Sequence, residues 1–233
     1  MNQPGAIACI GGGGFLVRDD SHLQEEFLLS LIPEPRRRER PRVVFLGLAH
    51  GDRELGQLKA LKTFSKLGCD ASTLPFFPYE MKRDYVAEVM AADLVYVGGG
   101  NTPAMVAVWR EFGFDRALHD AWQDGTVLSG ISAGANCWFE HYVTDSVPGG
   151  GVRAGLGWIK GTFCPHLDSE PWRQPVLAGV PNAPAYGVRE GSMMVVRLGA
   201  EPEFVADKPG VTASVRLPDE AAREVPAIDL SSR

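Results

Sequence analysis

An apolar run, Thr126-Val127-Leu128-Ser129, passes directly into Gly130-Ile131-Ser132-Ala133-Gly134-Ala135-Asn136, and this stretch constrains the chain more than any other. A buried strand, a sharp turn and the start of a helix built from small residues must follow one another without a break. That order is the nucleophile-elbow context of the G-x-S-x-G pattern. A residue lifted onto a tight, strained turn needs neighbours without side chains, or its own hydroxyl is blocked. Ser132 is therefore a candidate nucleophile. The same pattern also arises by chance in glycine-rich chains, so the assignment needs a base, an acid and an oxyanion hole.

The surrounding pattern predicts an α/β fold: a mostly parallel central sheet with helices on both faces, and ligands at the carboxyl ends of its strands. Ala6 to Ile10 is a buried strand closed by Gly11 to Gly14. The dinucleotide fingerprint fails there, because Leu16 or Val17 stands where the third glycine belongs, so no cofactor is expected and the glycines mark a turn near a site. His22 to Leu31 has helical spacing. The arginine-rich Pro33 to Pro41 loop reads as a solvated surface segment that can grip an anion. Arg42 to Leu48, Ala71 to Leu74 and Asp93 to Val97 are further strands, and Leu55, Leu58, Leu61 and Phe64 recur at three-residue steps as on a helix packed against the sheet. Thr102 is placed to cap the next helix, with Pro103 at its first position. Towards the end, Ser192 to Val196, Glu203 to Ala206 and Val211 to Leu217 form short C-terminal strands of a closing meander.

With 233 residues, 45% of them hydrophobic, the chain can bury a full core, and one domain over residues 1–233 is expected. A net charge of −6 argues against a nucleic-acid or membrane-surface partner. No apolar run reaches membrane-spanning length, and a cytoplasmic location is expected. Cys9, Cys69, Cys137 and Cys164 make no C-x-x-C pair and read as buried thiols, with no metal implied.

A serine nucleophile needs an imidazole within hydrogen-bond reach. Among residues after Ser132 the choice is His141, expected near the end of the elbow helix, or His166 in Thr162-Phe163-Cys164-Pro165-His166-Leu167-Asp168. His166 follows an apolar strand on a proline-fixed loop and is preferred. His50 is the upstream competitor. An α/β-hydrolase order would place the acid between serine and histidine, where Glu140 and Asp145 leave little chain to build the usual elements. Glu190, before Gly191 at a strand end, suits the role better, with Asp168, Glu170 and Asp145 as competitors. Backbone donors for an oxyanion are the N–H of Ala133 and the loop Gly98-Gly99-Gly100.

Together, Gly98-Gly99-Gly100-Asn101-Thr102, Gly130-x-Ser132-Ala133-Gly134-Ala135-Asn136, Pro165-His166 and Glu190-Gly191 resemble, in the same order, the peptidase E family of α-aspartyl dipeptidases. The resemblance implies a fold like class I glutamine amidotransferases and a Ser132-His166-Glu190 triad. It also implies an oxyanion hole at Gly99, Gly100 and Ala133, substrate contacts at Asn101 and Asn136, and hydrolysis of Asp-X dipeptides in the cytoplasm. Neither metal nor cofactor is implied; the partner is a short peptide, and a homodimer is the expectation by analogy. Such enzymes carry an arginine after the catalytic histidine to meet the substrate carboxylate; here that is Arg173, with Arg189 and Arg153 behind it. One departure stands out. Only 24 positions separate His166 from Glu190, a shorter specificity loop than the resemblance implies. A serine dipeptidase of broader choice, a cyanophycinase-like hydrolase and a non-catalytic ligand-binding relative are the alternatives.

Overall fold

The computed structural model describes residues 3–17, 21–77, 82–181 and 183–232. Its elements run β1 (Ile7–Ile10), α1 (Leu23–Ser30), β2 (Arg42–Leu46), α2 (Glu54–Lys66), β3 (Asp70–Thr73), α3 (Tyr85–Met90) and β4 (Leu94–Val97). Then follow α4 (Thr102–Phe112), α5 (Phe114–Gln123), β5 (Val127–Ile131), α6 (Ala133–Asn136), β6 (Phe139–Thr144), β7 (Gly151–Ala154), β8 (Ile159–Cys164) and α7 (Arg173–Ala178). The chain closes with β9 (Ala185–Gly187), β10 (Ser192–Val196), β11 (Glu203–Ala206), β12 (Thr212–Arg216), β13 (Arg223–Pro226) and β14 (Ile228–Asp229).

Two sheets form, where the sequence pattern predicted one. The first has the order β14-β11-β10-β1-β5-β4-β2-β3, with β1, β5, β4, β2 and β3 all parallel and β10 and β11 continuing it as antiparallel neighbours. The second has the order β13-β12-β9-β8-β6-β7, parallel through β6, β8 and β9 and antiparallel outside them. The closing meander is accordingly split: β10 and β11 extend the first sheet, while β12 leaves for the second.

Period-two alternation directs the first sheet's side chains to two separate cores. Ile7 and Cys9 face one with Val89, Trp109 and Leu118 from α3, α4 and α5, and with Phe139, Phe163 and Val215 of the second sheet. Ala8 and Ile10 face the other with Leu28 of α1 and Phe64 of α2. A row of indoles ties helices to the second sheet: Trp109 stacks on Trp138, Trp138 on Trp158 and Trp158 on Trp122, with centroids 6.1, 5.2 and 6.1 Å apart. All four cysteines are free and buried. Among the described residues no helix is long and apolar enough to cross a membrane.

Helix α2 corrects one expectation. Its buried residues are Gly56, Ala60, Thr63 and Phe64, while Leu55 and Leu58 lie outside, 67% and 64% exposed. A three-residue step lags the 3.6-residue turn by about 60° each time, so a series of four wraps half the cylinder. The small residues face inward because the helix sits close: a side chain at Gly56 would meet His50 Nε2 at 2.3 Å. The Pro33–Pro41 arginines are occupied in part by the fold itself, Arg36 on Asp124 and the carbonyl of Ala92, and Arg38 on Asp93.

Candidate active site

Strand β5 lies between β1 and β4, with Ile131 opposite Ile10 and Gly130 opposite Val97, so whatever leaves its end emerges among three strand termini. Ser132 leaves it at φ 54°, ψ −109°, a conformation that costs a residue with a side chain on the order of 1–3 kcal/mol. Its N–H donates to the Ile10 carbonyl at 3.0 Å, and its own carbonyl accepts from Ala135 and Asn136. The two motif glycines have a reason beyond clearing the hydroxyl. A Cβ on Gly130 would lie 2.2 Å from the Gly134 carbonyl, and one on Gly134 would lie 2.3 Å from the Val97 carbonyl. Short helix α6 can fold back over β5 and against β4 only if both are bare.

His166 follows β8 and, like Ser132, has a positive φ, 56°. Its backbone N–H donates to the Gly11 carbonyl at 3.2 Å, and the N–H of Gly191 donates to the Gly12 carbonyl at 3.0 Å. Three successive carbonyls, those of Ile10, Gly11 and Gly12, thus anchor Ser132, His166 and the residue after Glu190. The Gly11–Gly14 turn is the part of the site that the sequence flagged by position but not by role. The imidazole Nδ1–H donates to Glu190 Oε1 at 2.5 Å, which leaves the lone pair on Nε2. Ser169 Oγ donates to the same carboxylate oxygen at 3.1 Å, and Asp168 accepts the Glu190 N–H at 2.9 Å. Asp168 therefore supports the acid's backbone. Among the described residues the Ser132 hydroxyl makes no side-chain hydrogen bond, and in substrate-free sites the nucleophile–base contact is often long.

The other histidines stand elsewhere. His141 is an exposed residue of β6, paired with Ala154 across the ladder; α6 has only four residues and ends before it. His50 bonds the Gly47 carbonyl through Nδ1 and turns Nε2 towards α2.

Gly99 lies beside the nucleophile, since a Cβ there would be 3.4 Å from Ser132 Cβ. Gly100 has φ 136°, and a Cβ there would strike the Ala49 carbonyl at 2.2 Å. Among the described residues the N–H groups of Gly99, Gly100 and Ala133 are taken by no hydrogen bond, as donors reserved for an oxyanion require. Asn101, not Thr102, caps α4: its Oδ1 accepts from Ala104 N at 2.9 Å and its Nδ2 donates to Ser146 O at 3.0 Å. Asn136 is 3% exposed and its Nδ2 reaches Thr102 Oγ1 and Val143 O at 3.5 and 3.4 Å. The Nδ2 groups of both asparagines thus make bonds within the fold.

Arg173 has its guanidinium in use. Its side chain is 4% exposed, with Nε on Glu170 Oε2 at 2.8 Å, Nη1 on the Val143 carbonyl at 3.0 Å and Nη2 3.6 Å from Asp145 Oδ1. Arg189 is held by Thr212 and Glu224; burial pushes the Glu224 carboxyl up, and the bonds from Arg189 and Thr212 together outweigh it and leave the carboxyl below its usual range. Arg153 is exposed on β7. Arg173, the arginine that the resemblance offers for a substrate carboxylate, is thus engaged within the fold, as a buried cation must be to have its charge and N–H groups satisfied.

Behind the glycine turn, Glu25 is fully buried and accepts the Phe15 N–H at 3.1 Å. Burial raises its carboxyl above the usual range, outweighing the Phe15 bond that lowers it. A carboxyl whose folded-state pKa is raised favours the fold when protonated; that contribution is complete below the ordinary range and is lost as pH rises through the folded-state value. Glu25→Gln keeps an acceptor for Phe15 and removes the titration. Its Tm relative to the unaltered protein is expected to climb as pH rises from about 4 to 8. Thermal melts across that range check this, and a difference flat with pH would contradict it.

The model of "Peptidase family S51" matches residues 8–200. The chain is 41% identical over 169 residues to the uncharacterized peptidase YgaJ of Bacillus subtilis (strain 168), covering 72% of this chain and 71% of that one. Among solved structures it is similar to a peptidase from an acI-B1 Actinobacterium, with a TM-score of 0.75 at 20% identity over 97% of this chain and 96% of that one. It is also similar to the "Putative Peptidase E Protein" of Listeria monocytogenes EGD-e, with a TM-score of 0.62 at 15% identity over 87% and 98% of the two chains.

Proposed function

The chain belongs to peptidase family S51, and we propose that it hydrolyses short peptides as a single catalytic unit through Ser132, His166 and Glu190. The observation that carries this reading is the anchoring of all three triad segments on consecutive carbonyls of residues 10–12, with His166 Nδ1–H on Glu190. In this mechanism Nε2 of His166 takes the Ser132 proton as Oγ attacks the scissile carbonyl. The negative oxygen is received by the N–H groups of Ala133 and the Gly99-Gly100 loop. The imidazolium, steadied by Glu190, then protonates the leaving amine, and water repeats the sequence to release the acyl group. Dipeptide specificity, and within it a choice of aspartate, rests on the peptidase E resemblance alone.

A fluorophosphonate distinguishes this from the reading of the chain as a ligand-binding relative that keeps the elbow only as scaffold. The expected result is one phosphonyl adduct, mapped to Ser132 by peptide mass spectrometry, coincident with loss of peptide hydrolysis. No adduct, or an adduct elsewhere, would remove the proposal.

A further inference from the structure

The outer face of the second sheet holds a cavity that the proposed reaction does not use. Tyr186, Val188, Ala213 and Val215 belong to the core shared with the first sheet, so their alternating neighbours Ala185, Ser214 and Arg216 face the other way. Helix α7 has six residues and covers that face only in part. Its end is tied to β12 by Arg216, whose guanidinium donates to the carbonyls of Ala178, Val180 and Pro181 at 3.0, 3.0 and 3.2 Å. Bare Gly187 lets the helix side close down, since a Cβ there would meet Leu167 Cδ2 at 2.6 Å and Leu177 Cδ2 at 3.1 Å. Towards β12 and β13 a cavity of about 360 Å³ remains, within the roughly 300–1,000 Å³ of small-molecule sites.

Its lining has two parts. Leu167, Leu177, Ala178 and Ala185 supply apolar surface, while Arg189 and Glu224 stand side by side, Nη1 2.8 Å from Oε2. Nη1 also donates to the carbonyl and the hydroxyl of Thr212, and that hydroxyl donates to the same Oε2. All of these bonds fall on Nη1 and Oε2. Among the described residues Nε and Nη2 of Arg189 and Oε1 of Glu224 make no hydrogen bond. The Nε–Nη2 edge is a fork that meets a carboxylate with two parallel bonds, and Oε1 is an acceptor for an ammonium. In an α-amino acid the nitrogen and the carboxylate carbon are about 2.5 Å apart by standard bond geometry, so its two charges suit an arginine and a glutamate that touch. Its side chain would rest on the apolar part of the lining. We propose that this cavity binds a free α-amino acid with an aliphatic side chain, and that its occupancy is felt at His166 and Glu190. Leu167 directly follows His166, Arg189 directly precedes Glu190, and the Leu167 N–H donates to the Val188 carbonyl at 3.2 Å. A ligand resting on Leu167 and Arg189 is therefore one residue from the base and one from the acid, and coupling between two such sites is reciprocal.

Calorimetric titration of the full chain with leucine tests the site, and it requires no hydrolysis, so its outcome is separate from that of the serine-peptidase reading. One leucine per chain is expected. Glycine lacks the side chain, leucinamide the carboxylate and isocaproate the ammonium, and each should bind about 10-fold or more weakly. Ser214→Phe, which places a ring in the cavity, should abolish binding; Ala222→Trp, at an exposed lining position, should do the same if the first variant does not fold. The His166 imidazole resonances should shift along the same leucine saturation curve in the unaltered protein and not in the filled variant. No binding, equal affinity for glycine or leucinamide, or binding that survives filling of the cavity overturns the amino-acid site. Binding that leaves the His166 resonances in place overturns the coupling to the base and acid.

Discussion

Ser132→Ala is expected to lower kcat/KM for peptide hydrolysis by roughly 10⁴ to 10⁶, the loss seen when a serine nucleophile is removed from a triad that acts as a unit. The fold should survive. Ser132 is only partly exposed, but among the described residues its hydroxyl holds nothing in place, and its backbone bonds to Ile10, Ala135 and Asn136 do not depend on the side chain. Alanine at φ 54° inherits the strain of serine, whereas glycine does not. Ser132→Gly should therefore be equally inactive yet more stable than Ser132→Ala by about 1 kcal/mol. Paired melts and progress curves read both effects. Residual hydrolysis within 10-fold of the unaltered rate would show that another group attacks the peptide, and a less stable glycine variant would show that the elbow stores no strain.

How much of this was legible beforehand follows from which interactions are local. The elbow was, because strand, turn and helix occupy contiguous residues. So were β10, β11 and the core of β12, whose short apolar or alternating runs are a property of the segment. Partnership was not: nothing in residues 139–164 says that β6 and β8 pair with each other in a separate sheet, since Val143 or Phe163 reads as a generic buried strand residue until its neighbours are known. The proposed triad nonetheless falls at crossings between the sheets. Ser132 joins β5 to β6, Glu190 joins β9 to β10, and His166 leaves β8 to meet the end of β1. Proline and glycine mark such crossings in sequence, Pro165 before His166 and Gly191 after Glu190, which is why those two residues stood out while the strands around them did not. Arg173 is the opposite case. Its place after the histidine is legible, but what its guanidinium touches depends on Asp145 and Glu170, which reach it only in the fold.

Gly12→Ala tests whether the glycine turn serves the chemistry or only the backbone. An alanine Cβ would stand 2.0 Å from Glu190 Oε2 and 2.6 Å from Oε1, so the carboxylate must swing away from His166. The end of a glutamate side chain moves at little cost to stability, and the N–H of Gly191 can still donate to the residue 12 carbonyl. Gly11→Ala is the contrasting case, because its Cβ would strike the backbone carbonyls of Arg189 and Val188 at 2.4 and 2.8 Å, and backbone cannot move aside so cheaply. Gly12→Ala should melt within about 5 °C of the unaltered protein, equivalent to roughly 1–2 kcal/mol for a chain of this size. Its kcat should fall by on the order of 10²- to 10⁴-fold, as when the orienting acid of a triad is lost. Glu190→Ala should fall by a similar factor, and adding Gly12→Ala to it should change kcat little, since two substitutions that remove the same contact do not add. Gly11→Ala should lose stability first. Full additivity of the Gly12 and Glu190 effects would mean that the turn acts on catalysis by some route other than the acid, and the link drawn from Gly12 through Glu190 to His166 would have to be given up.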